Sequence, residues 1–203
     1  APSNSSTSAS WRCATRAGMD SLRQRLKHFG ADLHKQVDEA FSAFPLETRQ
    51  GYGDFLRAHG RAILSLERTL ENNGVEALID DWPQRRRSEA VLADLRALGI
   101  AVEAPRGMPP IAGAGWCWGA LYVLEGSRLG ARLLLQRLQA AQPAAPARYL
   151  SHGLADGLWP RFLRFFEAQA AACDERQLQQ GVADAFGQFL AVAERYGRCI
   201  NAS

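Results

Sequence analysis

The segment from Trp116 to Ala131 (Trp-Cys-Trp-Gly-Ala-Leu-Tyr-Val-Leu-Glu-Gly-Ser-Arg-Leu-Gly-Ala) reads as one helix, yet it places Gly126 and Gly130 four residues apart in its middle. Each interior glycine costs a helix about 1 kcal/mol relative to alanine. Positions i and i+4 share a face, so that face carries no side chains over a full turn. Two readings account for it. Either another helix packs there backbone to backbone, or a flat, bulky ligand approaches bare peptide.

The rest of the chain narrows the fold class. Alternating runs of β-branched residues are absent, and helical periodicity is strong. A first helix is expected over 21–43, with Leu22, Leu26, Phe29, Leu33, Val37 and Phe41 on one stripe, capped by Asp20 or Ser21 and stopped by Pro45. A second is expected over 48–72, ended by a left-handed cap at Asn72-Asn73-Gly74. A short turn over 75–79 follows, then an amphipathic helix over 85–98 and a Gly/Pro-rich loop over 103–115. The glycine-bearing helix occupies 115–141, a Pro/Ala connector 142–147, and two further helices 154–172 and 174–196. This is a single all-α bundle, with residues 1–18 read as a disordered tail and 19–200 as the domain.

Bulk properties exclude several classes. The net charge of +3 is mild, and the only dense basic run, Arg85-Arg86-Arg87, reads as a solvated helix start, so nucleic acid is not an expected partner. The four cysteines, Cys13, Cys117, Cys173 and Cys199, form no Cys-x-x-Cys pair, which disfavours a zinc site and excludes covalent haem attachment. Cys117 reads as an inert core thiol. No apolar run reaches the roughly 18 residues a bilayer span needs. The Ser/Ala/Asn-rich start lacks a hydrophobic signal core. No membrane partner and a cytoplasmic location are expected.

Four histidines are available for chemistry. His28 and His34 lie on different faces of the first helix, His59 on the inner face of the second, where it reads as a core residue, and His152 at a helix start, where it reads as a surface or capping residue. His34 sits beside the apolar stripe, so its ring can point into a cleft. Paired Glu-x-x-His motifs, a His-Glu-x-x-His run, a Gly-x-Ser-x-Gly elbow and a phosphate loop are all absent. One histidine opposite a helix face without side chains suits a planar iron macrocycle, for which neutral imidazole is a common axial ligand.

On these residues the chain resembles the bacterial haem oxygenases, and most closely the group that makes biliverdin for bacteriophytochromes. The resemblance runs through Leu26-Lys27-His28-Phe29-Gly30-Ala31-Asp32-Leu33-His34, Tyr52-Gly53-Asp54-Phe55-Leu56, Asp81-Trp82-Pro83-Gln84-Arg85 and, most specifically, Leu121-Tyr122-Val123-Leu124-Glu125-Gly126-Ser127-Arg128-Leu129-Gly130. It implies a haem oxygenase-type bundle with haem between the first helix and the glycine-bearing distal helix. It implies His34 as the iron ligand, Gly126 and Gly130 over the opposite face, and Lys27 and Tyr122 as propionate contacts. Two departures stand out. Gly30 replaces a threonine common four residues before the ligand, and is expected to loosen that helix. Ala131 replaces a second glycine. Ser127 stands where animal-type enzymes carry aspartate, and is expected to join a distal network of water and backbone.

The implied reaction is oxidative opening of haem b at a meso carbon to biliverdin, CO and ferrous iron. It uses O2 and electrons from a ferredoxin, flavodoxin or reductase, because the chain carries no flavin or nicotinamide motif. Asp38, one turn after His34, is expected to act on it through water at most. The alternatives are a non-catalytic haem carrier or sensor on the same fold, a helical enzyme of similar architecture acting on another ligand, and a helical adaptor.

Overall fold

Ser21 opens the first helix with a reciprocal capping box. Its side chain accepts from the Gln24 amide while the Gln24 side chain accepts from its own. The computed structural model describes residues 21–101 and 113–200, without the side chains of 198–200. The expected tail over 1–18 and most of the loop over 103–115 lie outside the described residues. Helix α1 spans Leu22–Ser42 and α2 spans Arg49–Asn72, the latter capped by the Thr48 hydroxyl and followed by Gly74 at φ 75°. Among the described residues there is no strand, as the missing alternation requires.

The helix expected over 85–98 starts later, and a separate turn precedes it. Helix α3 covers Trp82–Arg85 and α4 covers Ser88–Ala97. The cause lies on α2. The buried Glu67 carboxylate accepts from the Arg87 and Ser88 amides and from the Ser88 hydroxyl, so it caps α4 from outside its own sequence. Burial pushes the Glu67 carboxyl up in pKa, against those hydrogen bonds. The expectation of a solvated arginine run is also corrected, because Arg85 and Arg87 are only 1% and 3% exposed.

Helix α5 spans Ala114–Ala141, α6 Arg148–Ser151, α7 Leu158–Gln169 and α8 Glu175–Ile200. The late start of α7, against the expected 154, follows from Gly153 and Gly157, both at positive φ. Helix α8 is the central post, and α1, α2 and α5 all pack along it. At the α5–α8 crossing a Cβ on Gly119 would overlap the Leu178 carbonyl, and one on Gly181 the Trp116 carbonyl. Backbone-to-backbone packing is therefore the work of Gly119 and Gly181, not of Gly126 and Gly130.

Candidate haem site

Two helices lean on α8 and hardly touch each other. Helix α1 and helix α5 each pack closely against it, while few residues of α1 meet α5. At one end Arg23 of α1 lies over the Trp159 ring of α7, 5.9 Å from its centroid, and Trp159 faces Tyr122 of α5 at 5.8 Å. At the other end Arg137 of α5 pairs with Glu47, just beyond α1, at 2.9 Å, and Gln142 donates to the Leu46 carbonyl. The two helices thus run in the same direction as the walls of one cleft. His34 stands midway along the first wall, and Gly126 and Gly130 midway along the second.

On the α1 wall the His34 side chain is 63% exposed, edge-on to Phe186 of α8 at 5.8 Å between centroids. Its Nδ1 lies 3.2 Å from an Asp38 carboxylate oxygen. This direct contact corrects the expectation of an effect through water. A carboxylate on Nδ1 favours the tautomer that donates from Nδ1, leaving the Nε2 lone pair for a metal. Gly30 is buried, and a Cβ there would stand 3.1 Å from Phe186 and 3.2 Å from Val182. Glycine at this position brings α1 close to α8 instead of loosening it. Lys27, two turns before His34 on the same stripe, is exposed.

On the α5 wall the bare face stays bare. Nothing lies within 4 Å of a Cβ built on Gly130, and one on Gly126 would meet only the outer edge of Trp159 at 3.7 Å. Leu129 and Leu133, each 63% exposed, flank this face with unburied apolar surface. Tyr122, one turn before Gly126, is half-buried. Burial pushes its phenol up in pKa and the Arg23 guanidinium beside it opposes that. Ser127 sits on the flank of α5. Its hydroxyl donates to the Leu124 carbonyl at 2.7 Å and accepts from Arg87 at 3.0 Å.

Sequence reasoning missed the polar framework behind this wall. Arg87 also donates to the Leu124 carbonyl, and its guanidinium lies over the Tyr149 ring at 5.7 Å. The Tyr149 hydroxyl is 2.9 Å from His59 Nδ1. His59 is packed among Phe41, Phe55 and Phe189 and held neutral, its pKa pushed down to about 3 by burial and by the Arg87 charge. That agrees with its reading as a core histidine. Next to Gly126, the buried Glu125 accepts from Arg85 at 2.6 Å and from Arg128 at 2.8 Å, while Arg128 donates to the Arg85 and His152 carbonyls. His152 is the C-cap of α6, its backbone N–H donating to the Tyr149 carbonyl, and it is half-buried against Arg128 rather than on the surface. The one sequence signal for this framework was the arginine run, and its partners on α2 and α5 were too distant to be read from it.

The geometry fits a porphyrin. Among the described residues no cluster of three or more His, Cys, Asp or Glu side chains is placed to hold a metal, so an iron held by His34 would arrive with its remaining ligands already in place. A flat macrocycle supplies them, and the Gly126–Gly130 face is a surface against which it can lie.

No family model matches the chain. A haem oxygenase of Xanthomonas campestris is 32% identical over 154 residues, which cover 74% of this chain and 89% of that protein. Haem oxygenase PigA of Pseudomonas aeruginosa is 29% identical over 187 residues, covering 85% and 91%. The fold is similar to that of the NO- and CO-bound haem oxygenase of Neisseria meningitidis, with a TM-score of 0.75 and 24% identity over 87% of this chain and 92% of that one. It is also similar to the haem oxygenase of Leptospira interrogans, with a TM-score of 0.64 and 15% identity over 87% and 100%. The two structures share the all-α architecture, and the Xanthomonas relative extends the likeness to sequence over most of both chains. On that likeness the chain belongs to the bacterial haem oxygenase family.

Proposed function

We propose that this haem oxygenase holds haem b in the α1–α5 cleft, with His34 Nε2 on the iron and the Gly126–Gly130 face over the opposite side, and opens it at a meso carbon to biliverdin, CO and ferrous iron. The observation that carries this reading is the glycine face left bare on α5, together with an imidazole on the facing helix α1 that has one nitrogen committed to Asp38. Bound haem supplies the oxygen chemistry and is itself the molecule oxidised, using O2 and external electrons.

The protein's own residues bind, orient and exclude. His34 ligates as a neutral imidazole, oriented by Asp38 and by the Phe186 edge. Gly126 and Gly130 would let backbone stand close to a bound ring, and Leu129 and Leu133 would add apolar walls that shed water. Lys27 and Tyr122 meet carboxylates at the cleft rim, where an ammonium and a phenol are suitable partners. The Ser127 hydroxyl, held by Arg87 and the Leu124 carbonyl, keeps a neutral hydrogen-bonding group on the distal helix. Electrons come from a ferredoxin, flavodoxin or reductase, toward which a net charge of +3 gives a mild attraction for an acidic surface. Among the described residues no helix is long and apolar enough to cross a membrane.

The test is reconstitution with hemin followed by O2 and ascorbate. Wild-type protein gains a histidine-ligated Soret band that gives way to biliverdin, and His34→Ala loses both. A Soret band that persists under turnover conditions would make the protein a carrier, and a His34→Ala variant with unaltered spectrum and turnover would overturn the ligand assignment.

A further inference from the structure

Arg23 stands on the first turn of α1, on the same stripe as Lys27 and His34, at spacings of four and seven residues that keep side chains on one helix face. Family resemblance gives it no role. Its guanidinium crosses the cleft mouth to lie over Trp159 of α7, 5.9 Å from the ring centroid, and beside the Tyr122 hydroxyl of α5. Trp159 in turn abuts the bare face, its outer edge 3.7 Å from where a Gly126 Cβ would stand. Among the described residues Arg23 has no carboxylate partner, although Arg25, one face over, is tied to Glu175 at 3.0 Å. An arginine spread on an aromatic wall is partly immobilised before a ligand arrives, and its planar fork matches a carboxylate in a way a lysine does not.

We propose that Arg23 is a specificity-determining residue of this cleft: its fork, held over Trp159 and beside Tyr122, takes one propionate of the macrocycle and so sets how haem is turned in its own plane. The inference rests on the reading of the cleft as the haem site. Haem carries two propionates on one edge of a nearly four-fold ring. Arg23 and Lys27 offer two cations of unlike geometry along one stripe. Moving a carboxylate from one of these cations to the other turns the ring in its own plane and brings a different meso carbon under the distal helix, so Arg23 selects the biliverdin isomer.

The experiment compares wild type, Arg23→Met and a surface control, Arg96→Met, by Soret titration with hemin and with hemin dimethyl ester, and then separates the biliverdin isomers chromatographically. Arg23→Met is expected to weaken hemin binding about tenfold, the scale of one charge-assisted contact. It should leave ester binding at the wild-type level and turn a single isomer into a mixture. Arg96→Met is expected to match wild type in all three readouts. An Arg23→Met protein with the wild-type ratio of hemin to ester affinity and the wild-type isomer pattern overturns the assignment of Arg23. Wild-type protein that binds neither porphyrin overturns the haem reading on which it rests, a separate and distinguishable failure.

Discussion

Replacing Gly130 with alanine should make the protein more stable and a poorer enzyme, whereas the same change at Gly119 should simply damage the fold. Nothing stands within 4 Å of a Cβ at Gly130, the residue is exposed, and it lies deep inside a 28-residue helix. Alanine there removes the glycine penalty, about 1 kcal/mol, and adds no clash. With a urea slope of about 2–3 kcal/mol/M, the midpoint of haem-free unfolding should rise by about 0.3–0.5 M at unchanged slope. At Gly119 the same methyl meets the Leu178 carbonyl and the start of the next turn of α8. Parting α5 from α8 costs about 1–3 kcal/mol as an overpacked core does, which exceeds the helical gain. Urea denaturation of the two haem-free variants, followed by hemin titration and turnover, reads both effects. Gly130→Ala should bind hemin less tightly or turn it over more slowly, because its methyl projects onto the face the ring must approach. A Gly130→Ala protein that gains no stability would refute the open face. One that gains stability and processes hemin at the wild-type rate would refute the need for it.

Glu67→Ala strips the α4 amides of their buried acceptor and should destabilise the fold by about 2–4 kcal/mol, measured by the same denaturation. His59 makes stability depend on pH in a direction fixed by its environment. In the folded protein its pKa is about 3, against 6.5 in the ordinary state, so on acidification the unfolded chain takes up a proton the folded one refuses. Between pH 7 and pH 5 this single group should remove about 2 kcal/mol, and His59→Asn should show a correspondingly flatter profile in denaturation midpoints taken across that range. An equally steep profile would place the titration elsewhere. His34→Ala should lose the histidine-ligated spectrum, and added imidazole should restore it if the cleft is otherwise intact.

Much of this protein is legible along the chain because its helices are locally encoded. Ser21 with Gln24, Thr48 with Gly51, and Gly74 after α2 are contacts within three or four residues, and so are His34 and Asp38, whose direct pairing the spacing already permits. The ligand candidate and the glycine pair were visible for the same reason. What spacing could not settle was which glycines serve packing and which leave a bare face. Gly119, Gly126 and Gly130 look alike in a helix, and only the approach of α8 to the first of them distinguishes the three. The fate of the arginine run was equally hidden. A carboxylate twenty residues upstream holds the Arg87 amide and starts α4 at Ser88, while the Arg87 guanidinium is buried on the Leu124 carbonyl and Ser127. Local propensity and periodicity act over a few residues and specify elements. Packing joins groups far apart in the chain, and it alone decides where a surface is left uncovered.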